Sequence, residues 1–154
     1  MISAKRILCP LDFSEESLEA LRTAGALSQH FNAELLIINV IPPVSTISEE
    51  ADYSFYNFDV PTFEDKLVSR AKRKLKSIIS KHVSKKIKVR SFVQLGDPAQ
   101  IIVKNATTKK ADLIVIATHG RTHWTHLVFG SVVEKVIRLA PCPVLITRAK
   151  RKKK

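Results

Sequence analysis

Short apolar segments alternate with longer amphipathic segments along this chain, and no other feature limits its fold as strongly. The apolar segments predict strands at residues 7–11, 35–41, 87–95, 113–117 and 143–147. Between them, apolar residues recur at helical spacing, which predicts a helix in every connection. Strands joined in this way pair in parallel through right-handed crossovers. The sequence therefore predicts an α/β fold with an open five-stranded parallel sheet and helices on both faces.

The composition of the predicted strands indicates where each one lies in the sheet. Segments 35–41 and 113–117 are almost continuously apolar, which is typical of strands that are buried on both faces. Segment 87–95 alternates apolar and polar residues, which favours a position at the edge of the sheet.

Polar residues mark the predicted helix starts. Ser14 and Asp97 are suitable N-caps, and Pro98 suits the first helical position. Two later segments resemble capping boxes: Thr62-x-x-Asp65 and Ser131-x-x-Glu134. The apolar residues of the second helix form one stripe, so we expect its basic residues on the outer face.

Positive charge is concentrated in two parts of the chain. The 154 residues carry a formal net charge of +12, and eleven Lys or Arg stand against two acids between Glu64 and Arg90. The stretch from Arg148 to Lys154 adds six more, without aromatic residues for base stacking. We predict a solvated helix face and a solubilising tail at 149–154, after one domain at 1–148. Weak, salt-sensitive binding is expected, but no specific nucleic-acid site.

Cysteine usage and hydropathy bear on the compartment. No apolar run approaches the ~20 residues that span a bilayer, and no secretory signal pattern is visible. Cys9 and Cys142 lack a C-x-x-C partner, so reduced structural thiols are expected. We predict a cytoplasmic protein without membrane insertion.

The connection at residues 42–61 is long for a compact domain, and such connections are often functional. Five of the ten aromatic residues crowd its end and the next helix start: Tyr53, Phe55, Tyr56, Phe58 and Phe63. We expect this segment to pack over the site or against a partner.

The clearest chemistry lies between residues 117 and 131. Gly120 directly follows a predicted strand, and Gly130-Ser131 precedes an amphipathic helix. Glycine lets a ligand approach the backbone, and a helix N-terminus offers N–H donors and positive potential to a phosphate. Arg121 could add a fixed charge. The same residues also suit a plain turn and a helix cap, and the local pattern leaves both interpretations open.

Three histidines lie close together in the same segment: His119, His123 and His126. Imidazole suits zinc or copper, but no acidic or thiol ligand is near in sequence. Polar or anion-contacting roles are therefore favoured, and no metal ligand is predicted.

The spacing Gly120-x9-Gly130-Ser131 resembles the nucleotide-binding signature of the universal stress protein family, Gly-x2-Gly-x9-Gly-Ser/Thr, with Ala117 at the first glycine. Segments 7–14, 96–99 and 140–145 resemble the family as well, so the likeness covers essentially the whole chain. It implies the sheet order 3-2-1-4-5 of an adenine nucleotide alpha hydrolase-like fold. The loops that carry Asp12 and Gly120 would then face each other across one crevice.

This resemblance also implies where a nucleotide would lie. Asp12 and Val40 would meet the adenine, and Ala117 would lie near the ribose. The phosphates would be held by Gly120, Gly130, Ser131 and Val132. The predicted site is completed by neighbouring residues: Pro10, Leu11, His119 and Arg121.

The function implied is that of a regulatory module that binds ATP, ADP or AMP in a stress response, where Mg²⁺ or Mn²⁺ could accompany the phosphates. The resemblance also places the last strand at a free sheet edge. An apolar edge needs a cover, so we predict a homodimer through residues 143–147. Two alternatives stay open: a slow nucleotide hydrolase that uses Asp12 or a histidine, and a dimeric scaffold without a nucleotide. Binding is favoured because donors are evident and an activating base is not.

Overall fold

A computed structural model describes three stretches of the chain, residues 3–43, 60–118 and 129–148. Within them, strands and helices alternate as predicted: β1 (Arg6–Pro10), α1 (Glu15–Phe31), β2 (Glu34–Ile41), α2 (Val60–His82), β3 (Val89–Leu95), α3 (Pro98–Thr108), β4 (Leu113–Ala117), α4 (Ser131–Leu139) and β5 (Val144–Thr147). Residues 44–59, which are most of the connection at 42–61 that is predicted to pack over the site or against a partner, lie outside these stretches, and so does the tail at 149–154.

The five strands form one parallel sheet in the order β3-β2-β1-β4-β5. This confirms the predicted strand order, with β3 at one edge and β5 at the other. The central strand β1 pairs with β2 on one side and with β4 on the other. No helix in the described part of the chain is long and apolar enough to cross a membrane.

Successive side chains of the inner strands enter two separate apolar layers, as the two-residue period of a strand requires. Ile7, Leu35 and Ile37 pack on the face that α1 and α2 cover. Their neighbours Leu8 and Leu36 pack on the face that α3 and α4 cover. Burial on both faces explains the nearly continuous apolar sequence of β2 and β4.

Local hydrogen bonds explain two of the four helix starts. The Ser14 side chain accepts from the Ser17 N–H, and the Asp97 side chain accepts from the Gln100 N–H ahead of Pro98. Both predicted N-caps are thus confirmed. The Thr62 capping box is wrong, because α2 begins at Val60 and Thr62 lies inside its first turn. The intervening Pro61 is no obstacle there, since first-turn N–H groups have no partner within the helix.

Carboxylates anchor the beginnings of the three strands β1, β2 and β4. Asp112 accepts hydrogen bonds from the backbone N–H groups of Lys5 and Arg6, both at 2.8 Å. Glu34 lies within 2.9 Å of the Arg90 guanidinium and 3.4 Å of the Lys88 ammonium. Burial raises the pKa of Glu34, but hydrogen bonds and charge interactions with Arg90 and Lys88 outweigh burial, so its pKa lies below the usual 4.5.

We expect Glu34→Gln to lower the free energy of unfolding at neutral pH by about 1 kcal/mol, since the partner cations are partly exposed and screened. Because the pKa is lowered in the folded state, this stabilisation is present above pH 4.5 and is lost as the pH falls through the folded pKa. Urea denaturation of both proteins should show a difference at neutral pH that shrinks as the pH falls below 4.5 and disappears in stronger acid. Glu19→Gln, which removes one ion pair with Arg22 at a half-buried position of α1, is the matched control. A difference that persists in acid would contradict the pKa assignment.

Candidate functional site

The candidate site lies where the strand order reverses, at the carboxyl ends of β1 and β4. From β1 the chain moves outward to β2 and β3, and it then crosses to β4 on the other side. The connections that leave β1 and β4 therefore diverge, and a crevice opens between them. This is the position expected for a ligand in an open α/β sheet.

A cavity of about 730 Å³ occupies this position. Of the eleven predicted site residues, eight line it: Pro10, Leu11, Asp12, Val40, Ala117, Gly130, Ser131 and Val132. The other three, His119, Gly120 and Arg121, lie outside the described residues. The structure thus brings together one group after β1, one on β2, one at the end of β4 and one at the start of α4.

Asp12 belongs both to the cavity wall and to the start of α1. Its Oδ1 accepts hydrogen bonds from the backbone N–H of Ser14, at 3.0 Å, and from the Ser14 hydroxyl. Ser14 in turn caps α1. The helix-entry role and the cavity position therefore coexist in one carboxylate, whose orientation is set by the turn that follows it.

The residue before Asp12 forms two hydrogen bonds with β2. The Leu11 N–H donates to the Ile38 carbonyl, and the Leu11 carbonyl accepts from Asn39 Nδ2, both at 2.8 Å. Asn39 is buried in the cavity wall, and its Oδ1 has no hydrogen-bond partner among the described residues. Sequence reasoning missed Asn39, although a single polar residue inside the apolar segment 35–41 is a recognisable signal.

Two basic residues of α2 also line the cavity. Arg70 and Lys74 are exposed, one turn apart, and lie beside the apolar Leu67 and Ala71 in the lining. The Lys74 ammonium lies 4.6 Å from the centre of the Phe13 ring, within range of a cation–π interaction. Both side chains are exposed, as predicted for the basic residues of this helix, and they also line the cavity, which the sequence did not predict. The sequence contained a signal for this position, because the two basic residues are four apart and border the apolar stripe of the helix.

The start of α4 forms the opposite wall, and it differs from the predicted cap. Gly130 is the N-cap and makes no side-chain capping bond, while Ser131 is the first helical residue. The Ser131–Glu134 capping box is therefore wrong, and the Glu134 carboxylate pairs with Arg138 at 2.9 Å. The reason is that the extended backbone of Gly130 allows the helix to start one residue earlier without a side-chain acceptor.

The backbone donors at this helix start are only partly committed. The Gly130 N–H donates to the Thr118 carbonyl at 3.0 Å, so it is not available to a ligand as the sequence suggested. No described group accepts from the N–H groups of the next residues, Ser131, Val132 and Val133, all of which line the cavity. The positive end of the helix dipole adds to these donors, which together suit an anionic group.

Gly130 itself is not required by backbone strain. Its φ of −69° is open to any residue, and an added Cβ would meet the Thr118 carbonyl oxygen at 3.5 Å, an ordinary contact. The fold therefore tolerates a side chain at this position of the cavity lining.

Neither cysteine has the properties of a nucleophile. Burial raises the pKa of the Cys9 thiol to about 12, and burial together with Asp112 raises that of Cys142. Both are free thiols, in agreement with the sequence. Residues 3–43, 60–118 and 129–148 contain no group of three or more His, Cys, Asp or Glu that could hold a metal ion. The histidines at 119, 123 and 126 lie outside this range.

Known proteins resemble this chain along nearly its full length. The family model of the universal stress protein family matches residues 3–148. Universal stress protein MJ0531 of Methanocaldococcus jannaschii is 33% identical over 148 residues, which cover 96% of this chain and 84% of that protein.

Solved structures show the same architecture. Protein MJ0577 of Methanocaldococcus jannaschii matches with a TM-score of 0.82 and 30% identity, over 99% of this chain and 100% of that one. A universal stress protein from Archaeoglobus fulgidus, solved in complex with dAMP, matches with a TM-score of 0.58 and 23% identity, over 95% of this chain and 98% of that one. Since the family model spans almost every residue and a relative of that family is 33% identical over 96% of the chain, the chain belongs to the universal stress protein family.

Proposed function

We propose that this protein is a regulatory module of the stress response that binds an adenine nucleotide, ATP or its relatives ADP and AMP, in the cavity between β1 and β4. The main support for this proposal is that eight residues predicted for the site line one cavity of about 730 Å³. That volume lies within the range of about 300–1,000 Å³ that is usual for small-molecule sites.

The two ends of the cavity suit the two ends of a nucleotide. Val40 offers apolar surface to a base, and Asp12 offers one carboxylate. The N–H groups of Ser131 and Val132 offer donors to phosphate oxygens at the start of α4. Arg70 and Lys74 add positive charge at the α2 wall, which also favours an anionic ligand. A relative with this fold was solved with dAMP, which is an adenine nucleotide.

Binding is a better proposal than efficient hydrolysis. Asp12 is the single carboxylate among the described lining residues, and the Ser14 turn already engages its Oδ1. A hydrolase needs a base aimed at the attacking water, and slow ATP turnover is the most that this lining supports. Mg²⁺ or Mn²⁺ would enter with the phosphates, which supply oxygen ligands of the kind that Mg²⁺ prefers.

The proposal includes a cytoplasmic homodimer that forms through β5. Among the described residues, only β4 pairs with this strand, which lies at the edge of the sheet opposite β3. Its Leu145 is 39% exposed, and Ile137 and Leu139 of α4 are also exposed. Apolar residues beside an unpaired strand edge favour association with a second copy.

Gly130→Val should weaken ATP binding by at least about tenfold, because the added side chain occupies cavity space beside the phosphate donors. The affinity for adenosine, which has no phosphate, should fall by less than about threefold. Isothermal titration calorimetry with both ligands measures the two effects, and circular dichroism checks the fold. Gly25→Ala in α1 is the control, since that glycine does not line the cavity. Equal losses for ATP and adenosine would contradict the placement of the phosphates.

Asp12→Asn should weaken the binding of adenosine and of ATP by a similar factor of about ten, because it removes the charge that is proposed to meet the base. The asparagine keeps an oxygen that accepts hydrogen bonds from Ser14. Inorganic triphosphate, measured as a competitor of ATP, should bind the variant as it binds the parent. Asp112→Asn, at the opposite end of the sheet, is the charge-matched control. Unchanged adenosine affinity would place the base elsewhere. No binding of any adenine nucleotide to the parent at millimolar concentration would favour the scaffold alternative.

Leu145→Lys should convert the dimer to a monomer of 17.3 kDa, since it puts a charge at the proposed contact. Light scattering at micromolar concentration measures the mass. Leu95→Lys is the matched control, because Leu95 is 37% exposed at the far edge of the sheet. A parent protein that is monomeric, or a Leu145→Lys variant that stays dimeric, would exclude β5 as the interface.

A further inference from the structure

The outer edge of β3 is unpaired within the described part of the chain, since only β2 flanks this strand. The Lys88 carbonyl accepts from the Leu35 N–H at 2.8 Å. The Gly96 N–H donates to the Ile41 carbonyl at 3.0 Å. Even-numbered residues therefore direct their backbone polar groups toward β2. By the two-residue period of a strand, four others direct theirs outward: Val89, Ser91, Val93 and Leu95.

A groove of about 590 Å³ runs beside this edge, between β3 and α2. Both elements contribute apolar lining: Leu75, Ile79, Val89 and Val93. Lys72 and Lys76 line the α2 side and are exposed, and no acid among the described residues pairs with either ammonium group. An unpaired strand edge thus lies next to an apolar groove with a positively charged rim.

We propose that this groove binds an extended acidic segment of a partner protein, which adds to the β3 edge as a further strand. The outward N–H and C=O groups pair with the backbone of the added segment. Side chains of an added strand alternate between two faces, so apolar residues on the groove side contact the lining. Carboxylates next to them reach Lys72 and Lys76, and this charge complementarity selects an acidic segment.

Two other occupants fit the groove less well. A second copy of this chain would bring the lysine rims of two molecules together, in a protein that already carries a net charge of +12. A nucleic acid would need an open aromatic face for its bases. Phe92 is the one aromatic residue among the described lining, and the Lys109 ammonium lies 4.1 Å from its ring centre. A row of alternating donors and acceptors matches a peptide backbone, whereas phosphates only accept.

The binding test uses a fluorescein-labelled, acetylated peptide of about eight residues, close to the length of β3, in which glutamate alternates with valine or threonine. Fluorescence anisotropy at physiological salt should show saturable binding to the full chain. Two control peptides should bind at least about tenfold more weakly: one with lysine in place of glutamate, and one methylated on alternate backbone nitrogens.

Ser91→Pro removes one outward N–H of β3 and leaves the bonds to β2 in place, since proline is tolerated at a sheet edge. We expect Ser91→Pro to bind the acidic peptide about tenfold more weakly than Ser91→Ala, which keeps the N–H. The double variant Lys72→Glu/Lys76→Glu should weaken the peptide by more than about tenfold. Lys85→Glu/Lys86→Glu is its control, since these exposed lysines do not line the groove. Melting temperatures confirm that each variant folds.

Three results would overturn the proposal. Equal affinities of Ser91→Pro and Ser91→Ala, both folded, would exclude strand addition. Equal competition by single-stranded DNA of the same charge would show a general polyanion surface. A loss of dimer mass on Ser91→Pro would assign the edge to a second copy. None of these results depends on nucleotide binding, so all three leave the proposed nucleotide site untouched. The third would also contradict the proposed dimer interface at β5.

Discussion

The double-sided burial of β1 is the constraint on which the rest of the structure depends. Ile7, Leu8 and Cys9 are fully buried, with pairing strands on both sides and helices above and below. A central strand of this kind needs a neighbouring strand on each side. The chain supplies β2 and β3 on one side of β1 and then crosses to β4 on the other, and the crevice lies between the connections that follow β1 and β4. The position of the cavity is thus a consequence of packing before it is a matter of ligand chemistry.

The fold could be predicted from the sequence because its signals are local and repeated. Continuous apolar character identified β2 and β4, alternation identified the β3 edge, and Ser14 and Asp97 identified two helix starts. The order of the strands was predicted from the resemblance to a family. Helical and strand periodicity identifies the elements but does not show on which side of β1 the strand β4 pairs. The structure confirms that order.

The site could be predicted only in part, because several of its features depend on contacts between residues far apart in sequence. The Gly130 N–H is used by Thr118, and a spacing pattern does not show this bond. Arg70 and Lys74 face the cavity because of how α2 lies on the sheet, and a helical stripe does not fix that angle. Asn39 could have been predicted from the sequence, because a polar residue inside a buried apolar strand requires a hydrogen-bond partner.

The hydrogen bond between Gly130 and Thr118 has a consequence for how such a protein can change over time. It joins the two points between which residues 119–128 are inserted, at the end of β4 and the start of α4. Since the ends of this insertion are already held together, the entropy of closing it depends only weakly on its length. Substitutions and small insertions there leave the sheet and the helix in register. We therefore expect changes in the length of the segment between these two points to alter the stability of the domain little.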